Sequence, residues 1–234
     1  MEVGSLTWKE CEETLKRIKT VILPFGSLEE HGFHLPLNTD TTVAWEIARR
    51  VAEKRDVLVL PPIFYGICRT TNEFPGTITL SFETTMKIVE EILEETIDQG
   101  VEKVILLTGH WGKSHIIALR EASLKIKRRY PLVEILLVPY PELADRETKS
   151  VLETEREEIG HAGEFETSIM LVLRPSLVKM EKAEGESPHF PRFATITSGR
   201  NWMKTGVMGE PKLATKEKGE ILLSRIVENL ARLI

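Results

Sequence analysis

Side chains that bind metals and transfer protons are concentrated in residues 26–40, which hold two glutamates, two histidines and an aspartate. The apolar run 20–23 precedes them and is typical of a buried strand. Polar side chains at the carboxyl end of a strand mark the usual position of an active site in an open α/β sheet. Residues two apart in an extended segment project to the same side, so we expect Glu29 and His31 to enter one cleft.

Asp40 arrives at the start of the next predicted helix, and its ordinary interpretation is a helix N-cap. The ordinary interpretation of Glu29 is a solvated loop residue. Considered together with His31, these residues instead predict a binuclear site in which one carboxylate bridges two cations. Nitrogen and oxygen donors without a thiolate are compatible with zinc, manganese or ferrous iron.

Two further histidines lie beside glycines at predicted helix starts. His110 falls between a predicted strand and a helix, where the glycines on either side allow a ligand to approach the backbone closely. The Gly-Lys-Ser at 112–114 is not a phosphate loop, because that motif requires a glycine at position 107, which is Leu. His161 lies just outside an apolar helix and is a candidate general acid/base. The acidic residues that follow it, Glu164 and Glu166, have an ordinary explanation as first-turn acids of that helix.

Apolar runs and amphipathic stretches alternate along the chain. The pattern predicts strands over 20–25, 57–60, 103–108 and 133–139, and helices over 41–54, 82–98, 114–128, 162–173 and 213–233. This β-α-β-α order predicts an α/β fold with a mostly parallel β-sheet flanked by helices, as a single domain over residues 1–234. Irregular segments at 61–81 and 183–212 are longer than usual connections, so we expect them to line or cover a site.

Composition excludes several classes of protein. With 41% hydrophobic and 29% charged residues the chain resembles an ordinary globular protein, and its net charge of −5 without a basic run argues against nucleic-acid binding. We find no membrane span and no signal peptide, which predicts a cytoplasmic location. Cys11 and Cys68 form no CxxC motif, and no G-x-S-x-G is present, so covalent catalysis is unsupported. A single glutamine, Gln99, beside abundant Glu, Lys and Arg indicates a thermophilic source.

Several sequence blocks together resemble the creatininase (creatinine amidohydrolase) superfamily, in the same order and with similar spacing. The family patterns are GS-x-E-Q-H-G-x-H-L-P-x-x-T-D, F-P-G-T-I-S/T-L, N-G-H-G-G-N and H-A-G-x-x-E-T-S, followed by G-V-x-G-D/E-P and A-T. They correspond to residues 26–40, 74–80, 108–113, 161–168, 206–211 and 214–215. Glu30 stands in the place of the Gln, and the third block is altered.

The resemblance implies a creatininase-like three-layer sandwich that holds two divalent metal ions and assembles as a homo-oligomer, often a hexamer. In the implied ligand set Glu29 binds one metal and His31 the other, Asp40 bridges them, and His110 joins the metal of Glu29. The creatinine-hydrolysing branch has a further glutamate where this chain has Gly112. We expect Glu164 to replace that missing carboxylate as a ligand of the second metal, the one bound by His31.

The resemblance also implies an activity, which is hydrolysis of a non-peptide C–N bond in a small cyclic amide or formamide. His161 is the expected proton shuttle, and the expected substrate contacts are Trp111, Phe74, Gly76 and Thr77. One alternative is an archaeal deformylase that acts on a formylaminopyrimidine ribonucleotide. A peptidase that matures a peptide-derived cofactor also belongs to the superfamily. A further alternative from another class is a non-catalytic metal- or ligand-binding module.

Overall fold

A parallel β-sheet forms the centre of the computed structural model, which describes residues 1–154 and 160–234. Within those residues the strands are β1 (Thr20–Phe25), β2 (Leu58–Val59), β3 (Lys103–Thr108) and β4 (Glu134–Pro139). They lie in the order β2-β1-β3-β4, all parallel. The register pairs Phe25 with Thr108 and Thr108 with Pro139, so the carboxyl ends of three strands meet at one edge. The predicted α/β architecture is therefore confirmed.

Helices cover both faces of the sheet. They are α1 (Trp8–Arg17), α2 (Thr39–Ala52), α3 (Phe82–Asp98), α4 (Lys113–Arg129), α5 (Arg146–Lys149), α6 (Glu164–Leu173) and α7 (Lys216–Ala231). Short 3₁₀ helices occur at Val3–Ser5, Tyr140–Leu143, Pro175–Leu177, Met180–Lys182 and Pro211–Leu213. Among the described helices, none combines the length and apolar character needed to cross a membrane.

The sequence pattern missed α1 and α5. Helix α1 begins with a capping box between Thr7 and Glu10, and it was missed because its three apolar residues, Trp8, Cys11 and Leu15, stand among seven polar ones and none of the ten is buried. Helix α5 has only four residues, too few for helical periodicity to be recognised.

Two apolar cores lie on opposite faces of the sheet, and strand residues enter them alternately. Ile22 and Ile105 pack into the core formed with α2, α6 and α7. Val21 and Val104 pack into the other core, formed with α3 and α4. Because both faces are covered, the strands are continuously apolar in sequence.

Two glycines bring the start of α2 against the ends of β1 and β3. A Cβ atom on Gly26 would lie 2.4 Å from the backbone nitrogen of Thr41, and one on Gly109 would lie 2.0 Å from the carbonyl oxygen of Asp40. This close approach inserts Asp40 between the two strand ends. The prediction that Asp40 caps α2 is wrong, because Asn38 occupies the cap position and the Asp40 side chain points into the protein, where it is 2% exposed.

Candidate metal centre

Asp40 stands at the middle of a buried cluster of carboxylates and imidazoles. Its Oδ1 lies 3.1 Å from Nε2 of His31, and its Oδ2 lies 3.0 Å from Nδ1 of His110. Ser27 donates its hydroxyl to Oδ2 of Asp40 at 2.7 Å. One carboxylate thus contacts two imidazoles through different oxygens, which is the arrangement expected of a carboxylate that bridges two cations.

Glu29 joins this cluster from the segment that follows β1. Its Oε2 lies 2.9 Å from Nδ1 of His110, and its Oε1 accepts a hydrogen bond from the hydroxyl of Thr71. Glu29 and His110 are both buried, with 4% and 5% of their surface exposed. The expected grouping of Glu29, His31, Asp40 and His110 is therefore present in the structure.

Glu166 supplies a third carboxylate, which the sequence analysis had explained as a first-turn acid. Its Oε2 lies 4.0 Å from Nε2 of His31 and accepts the backbone N–H of Ala162 at 2.6 Å. The indole of Trp111 donates to its Oε1 at 2.9 Å. Ala162 has φ 54°, a left-handed conformation that is unfavourable for a residue with a Cβ atom, and this conformation accompanies the short N–H contact to Glu166.

Glu164 lies apart from the cluster, although it was the predicted ligand. Its carboxylate accepts the backbone N–H groups of Glu153 and Thr154 at 3.0 and 2.8 Å. Lys218 donates its ammonium group to Oε1 of Glu164 at 2.5 Å. Three donors already satisfy this carboxylate, so we replace Glu164 by Glu166 in the candidate ligand set. The family pattern H-A-G-x-x-E already indicated Glu166, because it requires a carboxylate at position 166 and allows any residue at position 164.

The hydrogen bonds of the two histidines test whether the cluster suits metal ions. Nδ1 of His31 lies 3.0 Å from the carbonyl oxygen of Glu29, and Nε2 of His110 lies 2.9 Å from the carbonyl oxygen of Ile67. A carbonyl only accepts, so each of these nitrogens carries a proton. In a neutral ring the opposite nitrogen then turns a lone pair toward carboxylate oxygens. A lone pair facing a carboxylate oxygen is repulsive unless a second proton or a cation lies between the nitrogen and the oxygen. These imidazoles and carboxylates therefore fit divalent metal ions.

The charges of these groups explain what holds the cluster together when no metal is bound. Burial would raise the pKa of Glu29, but the nearby His110 and His161 lower that pKa to about 2. Burial likewise opposes ionisation of Asp40, yet His31 and His110 hold its pKa well below the usual range. Burial raises the pKa of Glu166. The metal-free cluster is therefore held by ion pairs between carboxylates and protonated imidazoles, and metal ions would displace those protons.

His161 lies over this cluster with its ring centroid 4.2 Å from that of His31. Its Nε2 lies 2.6 Å from the carbonyl oxygen of Glu30 and 3.3 Å from Oε1 of the Glu30 side chain. Burial opposes protonation, but Glu29 and Glu30 raise the pKa of His161 well above its ordinary value. Glu30 thus orients His161, a role that sequence reasoning missed because Glu30 was noted only as a departure from the family pattern.

A cavity of about 440 Å³ opens above the cluster. Both long irregular segments contribute to its wall, as predicted, and Trp111 lies in it as expected. Its lining residues are Glu29, Ile67, Arg69, Thr70, Thr71, His110, Trp111, Gly112, Lys113, Ser114, Gly160, His161, Phe190, Ile196 and Met208.

Three expected substrate contacts, Phe74, Gly76 and Thr77, do not line this cavity. The ring of Phe74 packs under the guanidinium of Arg200, and Gly76 adjoins the side chain of Leu37. The Thr77 hydroxyl accepts the backbone N–H of Glu30 at 2.9 Å. The 74–80 block therefore supports the segment that carries Glu30 and does not form the pocket wall.

Comparison with known proteins agrees with this geometry. The creatininase family model, described as creatinine amidohydrolase, matches residues 4–234. Creatinine amidohydrolase from Pseudomonas putida is 32% identical over 246 residues, which covers 98% of this chain and 94% of that protein. A mycofactocin precursor peptide peptidase from Mycolicibacterium smegmatis is 28% identical, with coverage of 92% and 83%. A 3-dehydro-scyllo-inosose hydrolase from Thermotoga maritima is 30% identical, with coverage of 98% and 81%.

Solved structures show the same relationship in three dimensions. The crystal structure of a creatininase superimposes with a TM-score of 0.92 at 31% identity, covering 100% of this chain and 96% of that one. A Zn–Zn form of a creatininase mutant and a manganese form each superimpose with a TM-score of 0.91 at 30% identity, with the same coverage. The match over nearly the whole chain, the shared fold and the buried ligand cluster together show that this chain belongs to the creatininase family of hydrolases.

Proposed function

We propose that this protein is a metal-dependent amidohydrolase that cleaves a non-peptide C–N bond in a small cyclic amide or formamide, as a creatinine amidohydrolase does. One observation carries the proposal. Two buried imidazoles, His31 and His110, contact different oxygens of Asp40 beneath a cavity whose wall contains His161. A pair of adjoining metal positions below a proton-transferring side chain is the arrangement that metal-assisted hydrolysis requires.

The residues divide into two metal positions that share one carboxylate. Glu29 and His110 would hold one ion, His31 and Glu166 would hold the other, and Asp40 would bridge them. Bound divalent ions polarise a carbonyl group and lower the pKa of water to near neutrality. Zinc and manganese are supported by the forms in which related creatininases have been solved, and ferrous iron suits the same donor atoms.

His161 would carry the proton to the leaving nitrogen. The Glu30 carbonyl holds its Nε2 as a donor, so Nδ1 is the nitrogen left to exchange a proton. The backbone carbonyl of Glu30 thus fixes the orientation of the ring, a role that a carboxylate takes in other proton-transfer pairs. Glu30 is itself held in place, because its Oε2 accepts the backbone N–H of Gly32 at 2.9 Å.

The cavity limits the substrate to a small molecule, since about 440 Å³ lies at the lower end of ligand-binding pockets. A second candidate substrate is the formylaminopyrimidine ribonucleotide of the deformylase branch. One observation favours it, because Arg69 and Lys113 line the cavity and neither forms an ion pair within residues 1–154 and 160–234. Two unpaired cations suit an anionic substrate such as a nucleotide. Assembly as a homo-oligomer, with six subunits by resemblance, stays a prediction.

Activity assays on metal-loaded protein test the proposal. The metal-free protein is reconstituted anaerobically with zinc, manganese or iron and assayed in parallel for creatinine hydrolysis and for formate release from the formylaminopyrimidine ribonucleotide. Turnover of creatinine supports the first candidate and shows that Gly112 is compatible with it. Formate release supports the second. Two bound metals without turnover of any cyclic amide, formamide or peptide would favour the non-catalytic module.

The role of His161 has its own test. Replacing His161 with alanine is expected to leave metal content unchanged and to lower kcat by about 100- to 10,000-fold, the usual contribution of a general acid/base. His189→Ala is the matched control, because His189 is exposed and its only hydrogen bond among the described residues is to the Ser187 carbonyl. Unchanged turnover in His161→Ala would remove this residue from the mechanism.

A further inference from the structure

A buried thiol lies beside one of the two metal positions. Ligand atoms of Glu29, Cys68 and His110 all lie within 4.8 Å of one another. Cys68 is 1% exposed, so its sulfur faces the protein interior. No role is predicted for this cysteine from the sequence, and the ligand set implied by the family resemblance contains no sulfur.

The backbone around Cys68 is fixed on both sides, which holds the thiol in place. The N–H of Cys68 donates to the hydroxyl of Thr79 at 2.9 Å. The carbonyl of the preceding residue, Ile67, accepts from Nε2 of His110 at 2.9 Å. The segment that carries the thiol is therefore connected directly to the imidazole of a candidate ligand.

The metal position of Glu29 and His110 has three protein donors without the thiol, which leaves a fourth coordination position. Glu29, His110 and the shared Asp40 provide three protein donors, and the thiol of Cys68 lies within 4.8 Å of ligand atoms of two of them, Glu29 and His110. A fourth donor from Cys68 would give the four-coordinate shell that zinc prefers.

We propose that Cys68 is a thiolate ligand of the metal ion held by Glu29 and His110. This inference rests on the proposed metal centre. On binding, the thiol S–H bond breaks, a sulfur–metal bond forms and one proton leaves to solvent. Thiolate ligands favour zinc, cobalt and ferrous iron over manganese. The two metal positions therefore differ, because one contains sulfur and selects against manganese while the other contains only nitrogen and oxygen.

X-ray absorption at the zinc edge of the wild-type protein tests the proposal without any substitution. With both positions filled, we expect a sulfur scatterer at about 2.3 Å, at about half a sulfur per zinc. A shell of nitrogen and oxygen alone in protein that holds two zinc ions would overturn the role of Cys68 and leave the proposed function standing. Protein that binds no zinc at all would overturn both.

Substitutions of the two cysteines distinguish a metal-binding role of Cys68 from a role in packing alone. Cys68→Ser is expected to weaken zinc binding at one position by more than about 100-fold, the upper range for losing an outer-sphere partner, while manganese binding changes much less. Cobalt-loaded wild type and Cys11→Ser should both show a thiolate-to-cobalt charge-transfer band in the near ultraviolet, and Cys68→Ser should lack it. Equal weakening of zinc and manganese would assign Cys68 to packing alone.

Discussion

The two glutamates at the start of α6 lead to opposite predictions when each is replaced by glutamine. Glu166→Gln removes a candidate ligand, so binding of one zinc should weaken by more than about 100-fold, equivalent to about 2.7 kcal/mol. The metal-free stability should change by less than about 1 kcal/mol. The amide oxygen still accepts from Trp111 or Ala162, and the substitution removes a carboxylate whose ionisation is opposed by burial and by nearby Asp40.

Glu164→Gln should do the reverse. Its carboxylate accepts two backbone N–H groups and the ammonium of Lys218, and breaking one partner of a buried ion pair costs about 3–5 kcal/mol. Lys218 keeps a contact at 2.7 Å with the exposed Glu153, so we expect a loss somewhat below that range, about 2–3 kcal/mol. Zinc stoichiometry should stay at the wild-type value.

Both quantities can be measured on the same preparations. Urea unfolding of chelator-treated protein gives the free energy of unfolding, and elemental analysis after dialysis against zinc gives the stoichiometry. A Glu164→Gln protein of wild-type stability that has lost one zinc, with Glu166→Gln still holding two, would refute the assignment of ligands made from this geometry.

Three shorter predictions follow from the packing and electrostatics. Gly109→Ala should displace Asp40, destabilise the protein by about 1–3 kcal/mol and weaken zinc binding. Gly4→Ala, whose added Cβ meets only an ordinary 3.4 Å contact, should change neither in the same calorimetric titrations. Burial lowers the pKa of the folded His34 to about 4, whereas the unfolded chain takes up this proton near the ordinary value of 6.5. The free energy of unfolding is therefore highest above pH 6.5 and falls as the pH drops toward 4. Wild type should therefore lose about 2–3 kcal/mol more than His34→Gln between pH 7 and pH 4 in urea titrations of metal-free protein, and parallel losses would contradict this pKa. Zinc at about 1,000 times its dissociation constant should add about 4 kcal/mol to the unfolding free energy per site, and a melting temperature that chelation leaves unchanged would argue against tight sites.

Much of the fold could be predicted from local pattern. The bounds of β1 and β3 match the structure because both strands are buried on two faces and stand out as uninterrupted apolar runs. Helix α3 also matches, since Ser81 caps it and its apolar residues recur at helical spacing. Helix α1 was missed because only Trp8, Cys11 and Leu15 of its ten residues are apolar and none of the ten is buried, so its amphipathic pattern is easily overlooked.

The sequence by itself indicated Glu29, His31 and Asp40 as candidate ligands, because metal-binding residue types crowd the end of a buried strand, and the family resemblance added His110. Which carboxylate of α6 joins them was decided only by the tertiary structure. Residues two apart on a helix point about 200° away from each other, so Glu164 and Glu166 face different surroundings. Both are buried, and only the packed neighbours, Lys218 on one side and His31 on the other, distinguish a structural ion pair from a candidate metal ligand.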